Sequence, residues 1–178
     1  MPFQAFRLQM SIDGDVADVA LVRLRGSLED LTDFWRRYAA PKLYRDIADN
    51  FDSEGGGVGG WAPLSEDYAA WKAKHFPGRP ILVRTGALKE SLTFDGTSPG
   101  PEGIFDAGKG GLVIGTKLSY GKYHQRPTKS GRPPQRRFLF LLRNASETLG
   151  RLLHAYSVDQ AKKAGLRTRA AIQAGAEA

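Results

Sequence analysis

The sequence predicts an α+β fold in which a long, kinked N-terminal helix packs on a small, mostly antiparallel sheet, with a C-terminal helix and extended loops. Three observations predict it: an alternating apolar pattern near the N-terminus, a stripe of apolar residues at helical spacing, and a strand-like run over residues 111–116. A chain of 178 residues supports one compact core. We therefore expect a single domain over residues 1–156, followed by a helical or frayed extension over residues 157–178.

The residue pattern of the N-terminal third of the chain predicts a strand followed by a helix. Apolar and polar residues alternate over residues 4–12 before the turn signal Asp13-Gly14, which predicts a strand with one buried face. Asp15 is a plausible N-cap for the helix that follows, and Pro41 should kink it. The helix should end near residue 51. Its apolar stripe consists of Leu21, Leu24, Leu28, Leu31, Trp35 and Tyr38.

The middle of the chain predicts loops that are tied to the body by a few anchors. Residues 55–60 are nearly all glycine and predict a flexible loop that ends at the anchor Trp61. Ser65 can begin a short helix carrying Trp71, and Thr85 can cap a helical turn. We expect residues 93–110 to be mostly loop and residues 111–116 to share a sheet with residues 4–12. Large aromatic residues at helical spacing are usually core, so Trp35, Trp61 and Trp71 are expected to be buried.

The charges of the chain are divided unevenly. Residues 1–106 carry 12 Lys/Arg against 16 Asp/Glu, whereas residues 107–178 carry 14 against 3. The segment from Lys122 to Arg137, called here the basic loop, contains prolines and no acidic residue. Its charges should therefore be exposed, either solvated or facing a partner protein or DNA. Its candidate contact residues are Lys122, Arg126, Lys129, Arg132, Arg136 and Arg137.

Residues that could support catalysis or metal binding are sparse, so we expect no enzyme activity and no cofactor. The chain has no cysteine, and its three histidines (His75, His124 and His154) have no metal-ligand spacing. His124 could act as a general base. The interpretation favoured here is that it packs on Tyr120 and Tyr123 and donates one hydrogen bond. No apolar run is long enough for a membrane helix, and no signal peptide is recognisable, which predicts assembly in a cytoplasm.

An ordered set of short motifs resembles the phage virion morphogenesis or tail-completion family of Mu-like and P2-like phages. The resemblance covers about residues 55–142, and the sequence beyond about residue 157 has no clear counterpart in it. The motifs are Trp61-Ala62-Pro63-Leu64, Leu82-Val83-Arg84-Thr85-Gly86-Ala87-Leu88, Gly115-Thr116, Tyr123-His124-Gln125 and Arg136-Arg137-Phe138-Leu139.

The resemblance implies a structural virion protein, a tail-completion or head-to-tail joining subunit at the neck of the particle. It implies a homo-oligomeric ring, with a hexamer favoured, that meets tail-tube and head-connector proteins and DNA in the channel. The alternative is a basic DNA-binding accessory protein that acts as a monomer or dimer. Gly86 should permit a tight corner and Gly115 a bend or a close backbone approach. The motif residues expected to be architectural are Trp61, Pro63, Leu64, Thr85, Gly86, Leu88, Gly115, Tyr123 and His124.

Overall fold

The computed structural model describes residues 14–126, 128–140 and 145–166. It combines helices with a small two-stranded antiparallel sheet, which confirms the predicted α+β class. The strand predicted over residues 4–12 lies outside the described residues. The elements are α1 (Gly14–Glu29), α2 (Thr32–Phe34), α3 (Ala40–Asp52), α4 (Glu66–His75), α5 (Ala87–Ser91), β1 (Gly103–Gly108), β2 (Gly111–Thr116), α6 (Gly121–Gln125) and α7 (Ala145–Lys163).

The N-terminal helical region is interrupted earlier than the sequence predicts. Asp30 and Leu31 separate α1 from α2, and the Asp30 carboxylate accepts a hydrogen bond of 3.0 Å from the Thr32 amide. Such a local side-chain bond competes with helical hydrogen bonding. α2 then continues through the π-helical turn Trp35–Ala39 into α3. Pro41 directly follows this π-helical turn, in which the Ala40 amide bonds the Trp35 carbonyl, so the helix is irregular next to the proline. The kink at Pro41 itself stays a prediction.

The limits of the helices agree with the sequence to within a few residues. α3 ends at Asp52, close to the predicted end. Asp15 lies inside α1 and not at its N-cap. Ser65 is the N-cap residue of α4, as expected, although its side chain makes no capping hydrogen bond. α7 begins where a C-terminal helix was predicted and continues to Lys163.

The sheet is a hairpin of β1 and β2. Residues 111–116 form the predicted strand, but the expectation of loop over residues 103–108 is wrong, because they form β1. In the register, Phe105 faces Ile114, and Lys109-Gly110 connects the strands. Phe105 packs on the inner side against Phe94, with ring centroids 4.8 Å apart. Ile104 and Val113 lie on the outer face, where they are exposed.

The main core lies where α3 and α5 meet the loop that carries Trp61 and the segment that carries Phe138. Phe51 contacts the Trp61 ring edge to face, with centroids 5.4 Å apart, and the Phe138 ring at 6.1 Å. Such pairs stabilise a core beyond their buried area. The buried residues of this core are Ile47, Phe51, Trp61, Val83, Leu88, Leu92 and Phe138.

A second apolar region joins α7 to the N-terminal helices. Leu24 of α1 packs against Ala161 and Leu166, all of them buried. The Tyr156 hydroxyl donates a 3.1 Å hydrogen bond to the Ser27 carbonyl, and the Tyr38 hydroxyl bonds the Asp159 carboxylate at 3.0 Å. α7 passes the expected domain limit at residue 156 without interruption. The described part of the extension therefore packs on α1.

Candidate interaction surface

Arg136 is buried and holds the end of the basic loop to the body. Its side chain is 4% exposed and donates 2.8 Å hydrogen bonds from Nε to the Ala62 carbonyl and from Nη2 to the Pro63 carbonyl. Burial lowers the pKa of Arg136. Arg136 was expected among the exposed contact residues, and this expectation is wrong, because the guanidinium satisfies two carbonyls of the Trp61-Ala62-Pro63-Leu64 motif.

The other five predicted contact residues lie on the surface. They are exposed, and no salt bridge found in the described part of the chain involves them. Lys122 places its ammonium 5.0 Å from the centre of the Tyr123 ring, a cation–π contact. The five residues, called here the loop cations, are Lys122, Arg126, Lys129, Arg132 and Arg137.

Gln125 closes the base of the basic loop. Its side-chain oxygen accepts hydrogen bonds from the Phe138 amide at 3.2 Å and the Leu139 amide at 3.0 Å, and its side-chain nitrogen donates to the Leu139 carbonyl. The Arg136 amide also donates to the His124 carbonyl at 2.8 Å. Sequence reasoning included Gln125 in a motif and missed this role, since only the three-dimensional pairing reveals it.

Trp61 fixes the glycine-rich loop from the other side. Its indole Nε1 donates a 2.9 Å hydrogen bond to the Arg137 carbonyl, which also accepts a 3.2 Å bond from Asn50. Gly55 has a φ of 93°, and a Cβ built there would lie 2.4 Å from Cδ1 of Trp61. The loop therefore needs glycine at this position both for its conformation and for space.

The Thr85-Gly86 motif forms the corner that starts α5. Gly86 has a φ of 101° and takes the N-cap position expected for Thr85. The Thr85 hydroxyl accepts only a long 3.4 Å bond from the Ala87 amide. Leu88, two residues after Gly86, is buried, so the motif orients a core residue.

Several other motif residues have a simple packing role. Leu64 is half-buried, and Pro63 is exposed with its carbonyl bound by Arg136. A Cβ built on Gly115 would meet only the Ile104 side chain, at an ordinary 3.7 Å. The expected close backbone approach at Gly115 is therefore wrong. Gly121 is the tighter position, where a Cβ would lie 3.2 Å from Thr116 and 3.3 Å from Phe138.

Tyr123 and His124 have opposite surroundings on α6. Tyr123 is exposed, whereas the His124 ring is half-buried and its buried Nδ1 atom has no hydrogen-bond partner among the described residues. Burial, followed by the nearby positive charge of Arg136, lowers the pKa of His124. The structure thus supplies no partner for the hydrogen bond that Nδ1 could donate.

α4 carries an aromatic ladder that the sequence predicted to be core. Trp71 is 40% exposed and Tyr68 is 39% exposed, so burial of Trp71 is a wrong expectation. The Trp71 ring stacks on Tyr68 with centroids 5.5 Å apart and on His75 at 4.7 Å. The buried position of α4 is Lys72, whose ammonium donates to the Pro80 carbonyl. Burial lowers the pKa of Lys72.

An open apolar groove of about 310 Å³ lies between α3, β2 and the segment after Phe138. Across the described ranges, no cluster of three or more His, Asp or Glu residues could hold a metal ion. A search of the same residues finds no helix with the length and apolar character needed to cross a membrane. The groove is lined by Leu43, Ile47, Leu112, Ile114, Leu139 and Phe140.

Comparisons with known proteins return nothing for this chain: no protein-family model, no curated protein and no solved structure matches it.

Proposed function

We propose that this protein is a structural subunit of a tailed-phage particle that assembles into a ring, with six copies expected, at the junction between head and tail. The subunit completes the tail or joins it to the head connector, and catalysis has no part in its role. The observation that carries the proposal is the basic loop, which combines a fixed base with unpaired charges at its surface.

The construction of the loop supports a contact role. Arg136 and Gln125 hold its two ends with side-chain hydrogen bonds, so the loop leaves the body at a defined place. The five loop cations are exposed beyond this base. Exposed positive charges that have no salt-bridge partner among the described residues are available to an acidic partner and increase the rate of encounter with it. A ring requires a heterologous contact, which a chain with separated acidic and basic regions can provide.

The architectural motifs support the same proposal. Trp61, Gly86 and Leu88 serve packing and backbone geometry, and Arg136 joins two of the motifs to each other. The ordered motif set that resembles the tail-completion family therefore corresponds to one connected structural unit. These motif residues therefore determine the shape of the subunit.

The test is assembly, measured on the wild type and on a variant in which the five loop cations are replaced by Gln while Arg136 is retained. Light-scattering mass measurement of the protein alone and mixed with tail-tube or connector subunits should show a ring. Electron microscopy of particles made with the variant should show unjoined heads and tails, although the variant remains folded. A monomer in every mixture, together with a normal yield of joined particles, would refute the proposal.

A DNA-binding accessory protein is the second candidate, and the charge of the loop is the observation that favours it. Neutralising phosphates releases counterions, so duplex affinity should fall with salt at a slope of about 0.9 per phosphate contacted. Titrating the protein with duplex DNA at two salt concentrations measures this slope. Tight, salt-sensitive duplex binding by a monomer would favour this candidate, whereas weak binding with ring formation favours the connector.

A further inference from the structure

The aromatic ladder of α4 has the properties of a stacking surface. Tyr68, Trp71 and His75 follow one face of the helix, and the Trp71 plane lies within 20° of the Tyr68 plane and 24° of the His75 plane. The Trp71 backbone carbonyl bonds the His75 ring at 2.8 Å, which helps to fix the end of the stack. A rigid, exposed aromatic stack of this kind loses little conformational entropy when a flat partner extends it.

The first turn of α4 carries the exposed acidic residues Glu66 and Asp67, and the charge beyond it is positive. From Tyr68 to Lys89 the sequence contains five Lys/Arg residues and no Asp or Glu. Lys72 and Lys89 are engaged with Pro80 and Asp52, respectively. The remaining three, Lys74, Arg79 and Arg84, are exposed and form no salt bridge with any described residue.

The ladder and the basic loop meet at Arg136. This buried side chain bonds the carbonyls of Ala62 and Pro63, which lie just before α4. It also acts electrostatically on His124 of α6. The first ring of the ladder and the base of the basic loop are therefore neighbours, although they lie in halves of the sequence with opposite net charge. The ladder, the exposed cations that follow it in the sequence and the loop cations together define the candidate surface.

We propose that this surface binds single-stranded nucleic acid, with bases stacking on the outer ring faces of Tyr68 and His75 at the ends of the ladder and phosphates contacting Lys74, Arg79 and the loop cations. Single-strand binding sites combine a positively charged path for the backbone with aromatic rings for the bases. A duplex satisfies the charges but keeps its bases paired and stacked, so it cannot use the ladder. An acidic protein could also pair with these charges, but it offers fewer flat groups that can stack on a row of aromatic rings. The proposal concerns the isolated subunit and does not depend on ring formation.

The test compares binding of a fluorescein-labelled oligothymidine of about 20 nucleotides, a length above the site size of known single-strand binding folds, with binding of a duplex of equal length. Trp71→Ala and Tyr68→Ala should each weaken single-strand binding about tenfold, since base stacking of this kind contributes 1–3 kcal/mol per base. Both should leave duplex binding unchanged. Val22→Ala, at an exposed apolar residue on α1, is the matched control and should change neither affinity.

Two further readouts distinguish stacking from attraction of charge alone. Oligothymidine should quench the tryptophan fluorescence of the wild type, and Trp71→Ala should abolish the quenching, because Trp61 is buried and Trp35 is half-buried against the cluster of Phe34 and Tyr156. Inorganic polyphosphate, which has charge without bases, should compete without quenching. Equal affinity for single strand and duplex, or single-strand binding unaffected by Trp71→Ala, overturns the proposal. Failure of every nucleic acid to bind also overturns it, and assigns the ladder to a protein partner.

Discussion

Trp61, in the loop before α4, and Trp71, within α4, have opposite environments. Trp61 is buried, with its ring against Phe51 and its N–H on the Arg137 carbonyl, whereas Trp71 is 40% exposed and touches mainly the rings of its own helix. Arg136 and Arg137 repeat this contrast at adjacent positions, the first buried and the second exposed. Residue type alone therefore does not separate the anchored interior of this protein from its exposed surface. Five predictions test that separation.

Trp61→Ala should have the largest effect, a loss of about 3–5 kcal/mol in the free energy of unfolding, because the substitution removes apolar burial and leaves a cavity. At this chain length the melting temperature should fall by about 2–4 °C for each kcal/mol. Trp71→Ala should change stability by less than about 0.5 kcal/mol, as surface substitutions do. Denaturant titration of both variants is the measurement, and equal losses would erase the contrast.

Gly55→Ala should cost about 2–4 kcal/mol, since the new methyl combines an unfavourable positive φ with overlap on Trp61. Gly59 is its matched control: its φ is 89°, but a Cβ there would meet nothing within 4 Å. Gly59→Ala should therefore cost only about 1 kcal/mol, the conformational part alone. The difference between the melting temperatures of the two variants measures the effect of the overlap with Trp61. Equal melting temperatures would contradict that effect.

Arg136→Ala should cost about 2–3 kcal/mol, because the Ala62 and Pro63 carbonyls lose their hydrogen-bond donors inside the protein. Arg137→Ala should cost less than about 0.5 kcal/mol, since its bonded group is the backbone carbonyl and its side chain is exposed. Chemical denaturation compares them directly. A stability loss at Arg137 as large as that at Arg136 would contradict the anchoring role assigned here.

His124 should make stability depend on pH in the acidic range. Burial and Arg136 hold the pKa of His124 below its usual value of 6.5, so protonation favours the unfolded chain. Stability should fall as pH drops below about 6.5, and the loss should be complete once pH is below the pKa in the folded protein. His124→Gln should flatten this part of the stability profile, while His75→Gln, at an exposed histidine, should preserve it. A profile unchanged by His124→Gln would show that other groups cause the slope.

Gly115→Ala should have the smallest effect, between no change and a gain of about 1 kcal/mol, since alanine restricts the unfolded chain and its methyl fits beside Ile104. Gly121→Ala is the contrasting variant, because a methyl there presses on Thr116 and Phe138. Thermal unfolding of the two variants checks the order. Destabilisation at Gly115 would restore a structural requirement for glycine in the strand.

The sequence predicted elements with a strong local signal well and elements without one poorly. The helical stripe of α1 and the β-branched run of β2 are strong signals, and both elements form. β1 was missed because its six residues include two glycines and one inward-facing aromatic, so its pairing depends on the neighbouring strand. The break at Asp30 was missed because Pro41 is the stronger helix-breaking residue in isolation. Local propensity does not report which competing hydrogen bond forms.

The exposure of the candidate contact residues was predicted only in part, because local sequence does not show which distant groups they contact. The composition of the basic loop indicated exposure, and five of its six candidate cations are exposed. Arg136 differs because its carbonyl partners lie more than 70 positions earlier in the chain. The exposed face of α4 has the same spacing as a core stripe, and only the burial of Lys72 shows which side of the helix faces inward. A run of residues 68–89 without acidic side chains was the one available signal for this surface.

The closed base at Gln125 also has a consequence for variation in length. Because the Gln125 amide bonds the backbone at Phe138 and Leu139, residues between these points leave and re-enter the body at a fixed gap. Lengthening such a loop costs little entropy, about 0.6 kcal/mol for each doubling. Related chains can therefore gain or lose residues here without altering the core, and an epitope tag should be accepted at Ser130 in preference to other exposed turns. The length of this segment should therefore change with little effect on the fold of the subunit.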